Sequence, residues 1–290
     1  MTEQELEEHR AKLWRTDGNA VRTVEDARQF MASVGFCVNY PERPGTLVPS
    51  FIAAHIGSTV GLPEAKHAYA DPRAKEATEL MVRLLRERSA FEMNLSQESN
   101  LIIAAPVFPY FYALVGDRNP KSLPKTKAQG AKISELATSV FAALQKHGPM
   151  TKTQIQEHVG RESSQAALDR ALGELWSILK ITRVDYSPSG GASWDVLYRW
   201  SPEAVKEGIN ISSPEAISAL VSKYLETVVA AEQDSIEQFF SHLTSRSKVR
   251  DAVNALLQAR ELSFVTIGDR PLVRMSPPQD TQPRNQRSRS

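Results

Sequence analysis

The strongest constraint on this chain is a segment in which three helix-like patterns precede two strand-like runs. Apolar residues recur at helical spacing over 133–144 and again over 168–179, with a short Thr-capped segment at 151–160 between them. Strand-like runs follow at 180–186 and 193–200, separated by a Ser-Pro-Ser-Gly-Gly turn. Three helices followed by a hairpin is the order of a winged helix, which is a helix-turn-helix with a β-wing.

The same order recurs further along the chain, within 209–275. Ile133 and Ile217 begin equivalent helical stripes 84 positions apart, and Leu175 and Leu256 occupy equivalent places 81 positions apart. A spacing this constant suggests duplicated units.

An earlier segment, 21–118, fits the order more loosely. Thr23 caps a predicted helix, and predicted strands occupy 90–95 and 100–104. An additional aromatic run at 108–114 has no counterpart in the other units. The sequence therefore predicts a mainly α fold with small β-wings (α+β), built from tandem winged-helix units.

The domain organisation follows from these patterns and from shifts in composition. The segment 119–131 is rich in lysine and proline and contains no acidic residue, so it is interpreted as a linker. The last residues are mostly Pro, Gln, Arg and Ser and lack the apolar surface needed to fold. The predicted divisions are a lead-in at 1–20, an N-terminal winged-helix-like unit at 21–118 (the first unit), the linker at 119–131, winged helices at 132–208 (the second unit) and 209–275 (the third unit), and a disordered tail at 276–290.

Bulk composition narrows the class of protein. The chain has one cysteine, Cys37, so it cannot form an intramolecular disulfide. Its N-terminus opens with acidic residues rather than with a basic signal-peptide region, and no apolar run approaches the ~18 residues that span a bilayer. We therefore expect a cytoplasmic protein without membrane contact, associated with the nucleoid if it binds DNA.

Duplex DNA is the expected partner, because the third helix of a DNA-binding winged helix lies in the major groove. Glutamine and arginine on that helix pair with adenine and guanine edges, and cations at a helix start combine with the helix dipole to attract phosphate. A solvated polar face explains the same residues, and Asp169 and Glu174 would repel phosphate. The candidate nucleic-acid contacts are Lys125, Lys127, Lys132, Lys152, Arg161, Gln165, Arg170, Arg246, Lys248 and Arg250.

The sequence carries few enzyme signatures. The sequence has no Walker loop, dinucleotide fingerprint or His-Glu-x-x-His motif, and its histidines lack metal-ligand spacing, so we expect no cofactor and no metal. Cys37 follows an apolar stretch and is interpreted as a core residue. The aromatic residues of 108–112 either pack in a core or stack on an extruded base.

The layout of 21–275 resembles the bacterial winged-helix DNA glycosylases of the AlkZ/YcaQ type. A helix runs into Val-Gly-Phe-Cys-Val-Asn-Tyr at 34–40, where that family has a Leu-Gly followed by Gln-x-Gln or Gln-x-Asp. The resemblance implies a basic concave channel around DNA and metal-independent removal of alkylated bases, with the polar pair holding water and stabilising the sugar cation.

This sequence departs from the family's polar pair. Matching Gly35 directly places Val38 and Tyr40 at the two positions, and a shift of one residue places Cys37 and Asn39 there. Asn39 alone keeps an amide that can hold water, so it is the one candidate catalytic residue. An oxocarbenium-like state needs nearby negative charge or a polarised nucleophile, which Val and Tyr do not supply.

Three functions follow as hypotheses. The first is a DNA-binding protein of tandem winged helices that recognises damaged or bent duplex. The second is a metal-independent DNA glycosylase that excises alkylated bases. The third is a winged-helix protein–protein interaction module, which the net charge of +1 favours.

Overall fold

The computed structural model describes residues 1–41, 47–64, 70–94, 100–126, 133–160, 162–187 and 189–277. The helices in these ranges are α1 (Glu3–Leu13), α2 (Val24–Val34), α3 (Phe51–Ile56), α4 (Pro72–Arg86), α5 (Phe108–Val115), α6 (Glu135–His147), α7 (Lys152–Val159), α8 (Gln165–Ser177), α9 (Leu197–Trp200), α10 (Pro202–Asn210), α11 (Ser213–Val228), α12 (Gln233–Phe240) and α13 (Arg246–Gln258). The strands are β1 (Phe36–Val38), β2 (Ala90–Asn94), β3 (Asn100–Ala104), β4 (Met150–Thr151), β5 (Ile181–Ser187), β6 (Gly191–Val196), β7 (Ala230–Ala231), β8 (Leu262–Ile267) and β9 (Arg270–Met275).

The strands form three small antiparallel sheets with one recurring order. Each sheet consists of a hairpin and a short earlier strand that pairs with the hairpin's second strand, giving β1-β3-β2, β4-β6-β5 and β7-β9-β8. The predicted mainly helical α+β fold class is confirmed, and the three predicted hairpins are present. The short strands β1, β4 and β7 are additions that the sequence patterns did not predict.

The predicted strand at 193–200 is wrong over its second half. Strand β6 ends at Val196, and Leu197–Trp200 forms the helix α9. Arg199 donates hydrogen bonds to the carbonyls of Leu144 (2.7 Å) and Gln145 (3.0 Å) at the end of α6. These contacts, together with burial of Leu197, stabilise a turn of helix where the local alternation predicts a strand.

The largest hydrophobic core joins the first and third units. Phe36 of β1 lies edge-on to Phe111 of α5 at 5.4 Å and stacks on Phe239 of α12 at 5.7 Å. Phe108, Phe111 and Tyr112 are at most 1% exposed. The aromatic run is therefore core, as one of the two interpretations predicts, and these three rings are not available to stack on a base.

Helix α5 owes its position to a close approach by α10. A Cβ atom on Gly208 would lie 2.8 Å from the Pro109 carbonyl oxygen and 2.8 Å from the Tyr112 Cβ. Only glycine allows the two helix backbones to come this near. The additional segment of the first unit is thus built into the core rather than displayed on the surface.

The N-terminal lead-in is attached to the third unit. In α1, the Arg10 Nε donates to the Val228 carbonyl at 2.9 Å, and Nη2 donates to the Ala230 carbonyl at 2.7 Å. The Trp14 indole donates to the Thr227 carbonyl at 2.7 Å. These bonds satisfy carbonyls at the end of α11 and in β7, so α1 connects the beginning of the chain to its third unit.

Lys180 holds the described part of the linker. Its side chain is fully buried, donates to the Asn119 and Ser122 carbonyls at 2.7 Å each, and pairs with Asp117 at 2.9 Å. Burial lowers the pKa of Lys180, and the hydrogen bond to Asp117 opposes that shift. The linker therefore starts from a fixed point.

Among the described helices, none combines the length and apolarity needed to cross a bilayer.

Candidate nucleic-acid interface

The predicted contacts of the third unit lie at the start of α13, beside acidic residues of α12. Arg250 binds Glu237 through two hydrogen bonds, Nε to Oε1 at 2.9 Å and Nη2 to Oε2 at 2.7 Å. Arg246 contacts Asp234 and lies 3.6 Å from the Glu237 carboxylate. The hydrogen bond from Arg250 lowers the pKa of Glu237, whose side chain is 3% exposed. Lys248 is exposed, and no ion pair to it occurs within the described ranges.

Two of the predicted contacts of the second unit, Lys152 and Gln165, also have protein partners. Lys152, at the start of α7, pairs with Asp169 at 2.8 Å. Gln165, the first residue of α8, donates to the Gln156 side chain at 2.6 Å. Arg170 is exposed on α8.

Of the predicted contacts in the linker, Lys125 lies in the described part of the chain and is exposed. Lys127, Lys132 and Arg161 lie outside the described residues, as does most of the predicted tail.

The positions matched to the family's polar pair lie at the end of β1. Val38 is 1% exposed and Tyr40 is half-buried. Cys37 is fully buried, which raises the pKa of its thiol and fits the predicted core role. Asn39 is half-buried, with its backbone N–H bonded to the Asn100 carbonyl at 3.0 Å and its carbonyl accepting from Ile52 N at 3.2 Å.

A cavity of about 220 Å³ adjoins Val38. Its described lining carries hydroxyls and one indole, with no carboxylate and no side-chain amide: Trp14, Thr16, Val38, Pro41, Val48, Ser50, Ala53, Thr59 and Leu62. Base excision needs a group that activates water or balances an oxocarbenium charge. Neither kind of group is among these side chains.

A larger cleft of about 720 Å³ lies between the first and second units. Within it, Arg183 of β5 pairs with the fully buried carboxylate of Glu92 at 3.1 Å, and the Asn100 side chain donates to Glu92 at 2.8 Å. The guanidinium also lies over the rings of Trp176 (4.6 Å) and Trp194 (5.2 Å). Sequence reasoning missed this group, since 91 positions separate Glu92 from Arg183 and neither residue belongs to a motif.

Comparison with known proteins identifies the chain's relatives. The family model described as DNA glycosylase AlkZ-like matches residues 56–289, which is most of the chain. The chain belongs to this AlkZ-like family. Among solved structures, the Streptomyces sahachiroi DNA glycosylase AlkZ is similar, with a TM-score of 0.55 and 12% identity over 92% of this chain and 69% of that one. At that identity the likeness bears on the fold. No curated protein matches the chain.

The family match confirms the resemblance to AlkZ-like glycosylases that the layout of the sequence predicts. The chain departs from the family's polar pair in structure as well as in sequence. Val38 is buried in the core that the first and third units share, and its side chain contributes no polar atom. In the described part of the chain, no group of three or more His, Cys, Asp or Glu side chains is placed to hold a metal ion.

Proposed function

We propose that this AlkZ-like chain is a DNA-binding protein whose tandem winged-helix units hold bent or damaged duplex. The match to the AlkZ-like family model over 56–289 carries the proposal. The recurring strand order supports winged helices at 21–118, 132–208 and 209–275. In each unit a short strand follows the first of three helices and pairs with a hairpin that follows the third, which is the winged-helix arrangement.

Exposed cations on two units are the proposed phosphate contacts. Lys248 and Arg170 project from α13 and α8, the third helices of their units, and Lys125 lies in the linker between the first two units. Arg246 and Arg250 reach phosphate only in competition with Asp234 and Glu237. Binding of this kind releases counterions and weakens as salt rises.

Binding without excision is favoured over catalysis by the surroundings of Val38. The described lining of the cavity beside it has no side-chain amide or carboxylate, the groups to which the family resemblance assigns the water. The alternative is a metal-independent glycosylase for alkylated bases in which Asn39 holds the water. Family membership favours that alternative, and Asn39 lies one residue beyond β1 with a partly exposed surface.

The first experiment is fluorescence anisotropy of a labelled duplex, either undamaged or carrying an abasic-site analogue, across a salt series. The proposal expects salt-sensitive binding and a preference for the duplex with the analogue, because an abasic site bends easily. Absence of binding to both duplexes at low salt overturns the proposal and leaves a protein–protein interaction module.

A second experiment separates binding from excision. The protein is incubated with duplex containing an alkylated purine, and the released base is quantified. The proposal expects no release above the spontaneous rate. Release by the wild type that is lost in Asn39→Ala, with duplex affinity unchanged, establishes the glycosylase instead. Release that persists in Asn39→Ala assigns catalysis to another residue.

A further inference from the structure

The cleft between the first and second units is a cavity that the proposed function does not use. Its volume of about 720 Å³ falls within the range of small-molecule sites. Side chains of both units converge on it: Asn94 and Asn100 from the first, and Lys152, Asp169, Trp176, Arg183 and Trp194 from the second.

The cleft lies on the face of the first unit's sheet opposite to the side chain of Val38. Val38 pairs with Leu101 across β1 and β3, and both side chains enter the core shared with the third unit. Asn100 precedes Leu101 in the strand, so its side chain lies on the opposite face of the sheet, where it reaches Glu92. A ligand in the cleft therefore occupies a site separate from Val38.

The charges in the cleft cancel in pairs. Arg183 is matched by Glu92 at 3.1 Å, and Lys152 is matched by Asp169 at 2.8 Å. A subsite for phosphate groups would carry a surplus of positive charge. The balanced cleft suits a neutral part of a ligand, one that offers hydrogen bonds and a flat face.

Arg183 supplies a flat face of its own. Its guanidinium rests on Trp176 and Trp194, whose rings meet edge to face at 5.1 Å and 84°. Its hydrogen bonds to Glu92 run through Nη1, and its side chain is 31% exposed. The indoles and the carboxylate thus hold a guanidinium plane in place, and nucleobases stack on such planes.

The two asparagines supply the hydrogen bonds. Asn94 and Asn100 are paired across β2 and β3, so their side chains share a face at the end of the hairpin. The Asn100 amide nitrogen is engaged by Glu92 at 2.8 Å, which directs a defined edge of that side chain. Carboxamides match the donor and acceptor pattern of nucleobase edges.

A glycine keeps the opposite wall open. Gly173 lies inside α8, where glycine costs about 1 kcal/mol relative to alanine. A Cβ atom built on it meets nothing within 4 Å, so no neighbouring atom requires glycine there. A side chain at this position would project into the cleft.

We propose that this cleft receives one unpaired nucleobase of bound DNA, stacked on Arg183 and hydrogen-bonded by Asn94 and Asn100. The inference rests on the proposed DNA binding and adds a second place of contact, specific for an unstacked nucleotide. A base fixed by stacking and hydrogen bonds contributes enough to favour bulged over paired duplex by about tenfold.

The test uses a duplex with one bulged 2-aminopurine and the same duplex fully paired. The wild type is expected to prefer the bulged duplex by about tenfold and to change the 2-aminopurine emission. Gly173→Leu, which fills the cleft, is expected to abolish both effects while binding the paired duplex normally. Asn94→Ala is expected to reduce the preference.

Two control variants separate the site from general effects. Gly173→Ala adds one methyl group and should keep the preference, and Asn19→Ala removes an exposed asparagine outside the cleft. Equal binding of both duplexes by the wild type overturns this inference alone. A preference and emission change that survive in Gly173→Leu overturn it as well. Failure to bind either duplex overturns the proposed function and this inference together.

Discussion

Arg250 and Glu237 are joined by two parallel hydrogen bonds of 2.9 and 2.7 Å across the start of α13. Arg250 is exposed, whereas the Glu237 carboxylate is 3% exposed and also contacts Arg246. A nearly buried carboxylate thus holds two cations that were predicted to face DNA. Any phosphate that approaches α13 has to compete with Glu237.

Replacing Glu237 with glutamine should strengthen DNA binding. Glutamine keeps the shape of the side chain but removes the charge, so Arg250 becomes available to phosphate, whereas Arg246 keeps its contact with Asp234. We expect duplex affinity to rise by about fivefold at low salt and the salt dependence to steepen by about one phosphate contact. Glu261→Gln is the matched control, since it removes an exposed charge from the same unit without breaking an ion pair. Equal effects of the two substitutions would show that total charge alone controls binding.

Lys248→Glu should weaken binding to every duplex sequence. Lys248 is exposed beside the two arginines, and a phosphate contact contributes without reading bases. We expect a severalfold loss in affinity and a shallower salt dependence, measured by anisotropy. Lys206→Glu makes the same charge change on α10, outside the proposed contacts. If both variants bind equally well, α13 is not the DNA-facing helix.

Arg183→Leu should destabilise the protein, and Glu92→Gln should rescue it. Removing the guanidinium leaves the Glu92 carboxylate buried without its partner at 3.1 Å, which costs about 3 kcal/mol in the free energy of unfolding. The double variant removes the buried charge as well and is expected to recover much of that loss. Urea denaturation of the four proteins forms a double-mutant cycle, and additive effects would deny the coupling.

Gly208→Ala should destabilise the contact between α10 and α5. The added methyl group would meet the Pro109 carbonyl at 2.8 Å, and a backbone atom cannot move aside as a side-chain tip can. We expect a loss of about 2 kcal/mol in the free energy of unfolding. Gly173→Ala is the control, because it meets nothing within 4 Å in α8 and should stabilise the protein slightly. A neutral result at Gly208 would mean that the helices can separate.

The stacked rings of His147 and His158 predict a loss of stability in acid. The rings lie 4.1 Å apart at 15°, and desolvation, followed by repulsion from His158 and Lys146, lowers the pKa of His147 below its usual 6.5. The folded state then resists protonation more than the unfolded state does. The free energy of unfolding should therefore fall as the pH drops through 6.5 towards the folded pKa.

NMR titration of the imidazole signals measures this directly. His158→Asn should move the pKa of His147 part of the way back towards 6.5, because it removes the repulsion but not all of the desolvation. A wild-type pKa at or above 6.5 for His147 would contradict the prediction.

Sequence periodicity predicted the helices that are stabilised by local end signals or by burial of one apolar face. The apolar stripe of α8, from Leu168 to Leu175, is buried as predicted, and Gly148 ends α6 with a φ of +90°. Leu197–Trp200 was missed because its helix depends on Arg199 reaching carbonyls more than 50 positions earlier. Local pattern carries no information about such contacts.

The candidate sites were likewise predicted only in part. Cations could be located by sequence, but the carboxylates that pair with them could not, as Lys152 with Asp169 and Arg250 with Glu237 illustrate. The pairing of Glu92 with Arg183 depends on the packing of β2 against β5, which the sequence does not reveal. Whether the proposed contacts touch DNA stays a prediction for the binding experiments above.

The core that joins the first and third units has a consequence for biosynthesis. Phe36 and Phe111 are packed against α11 and α12, which leave the ribosome more than a hundred residues later. The apolar surface of the first unit must then stay exposed to solvent while the second unit is synthesised and folds around its own core. During that interval the nascent chain is a natural client for chaperones, and pausing before residue 213 would lengthen its exposure.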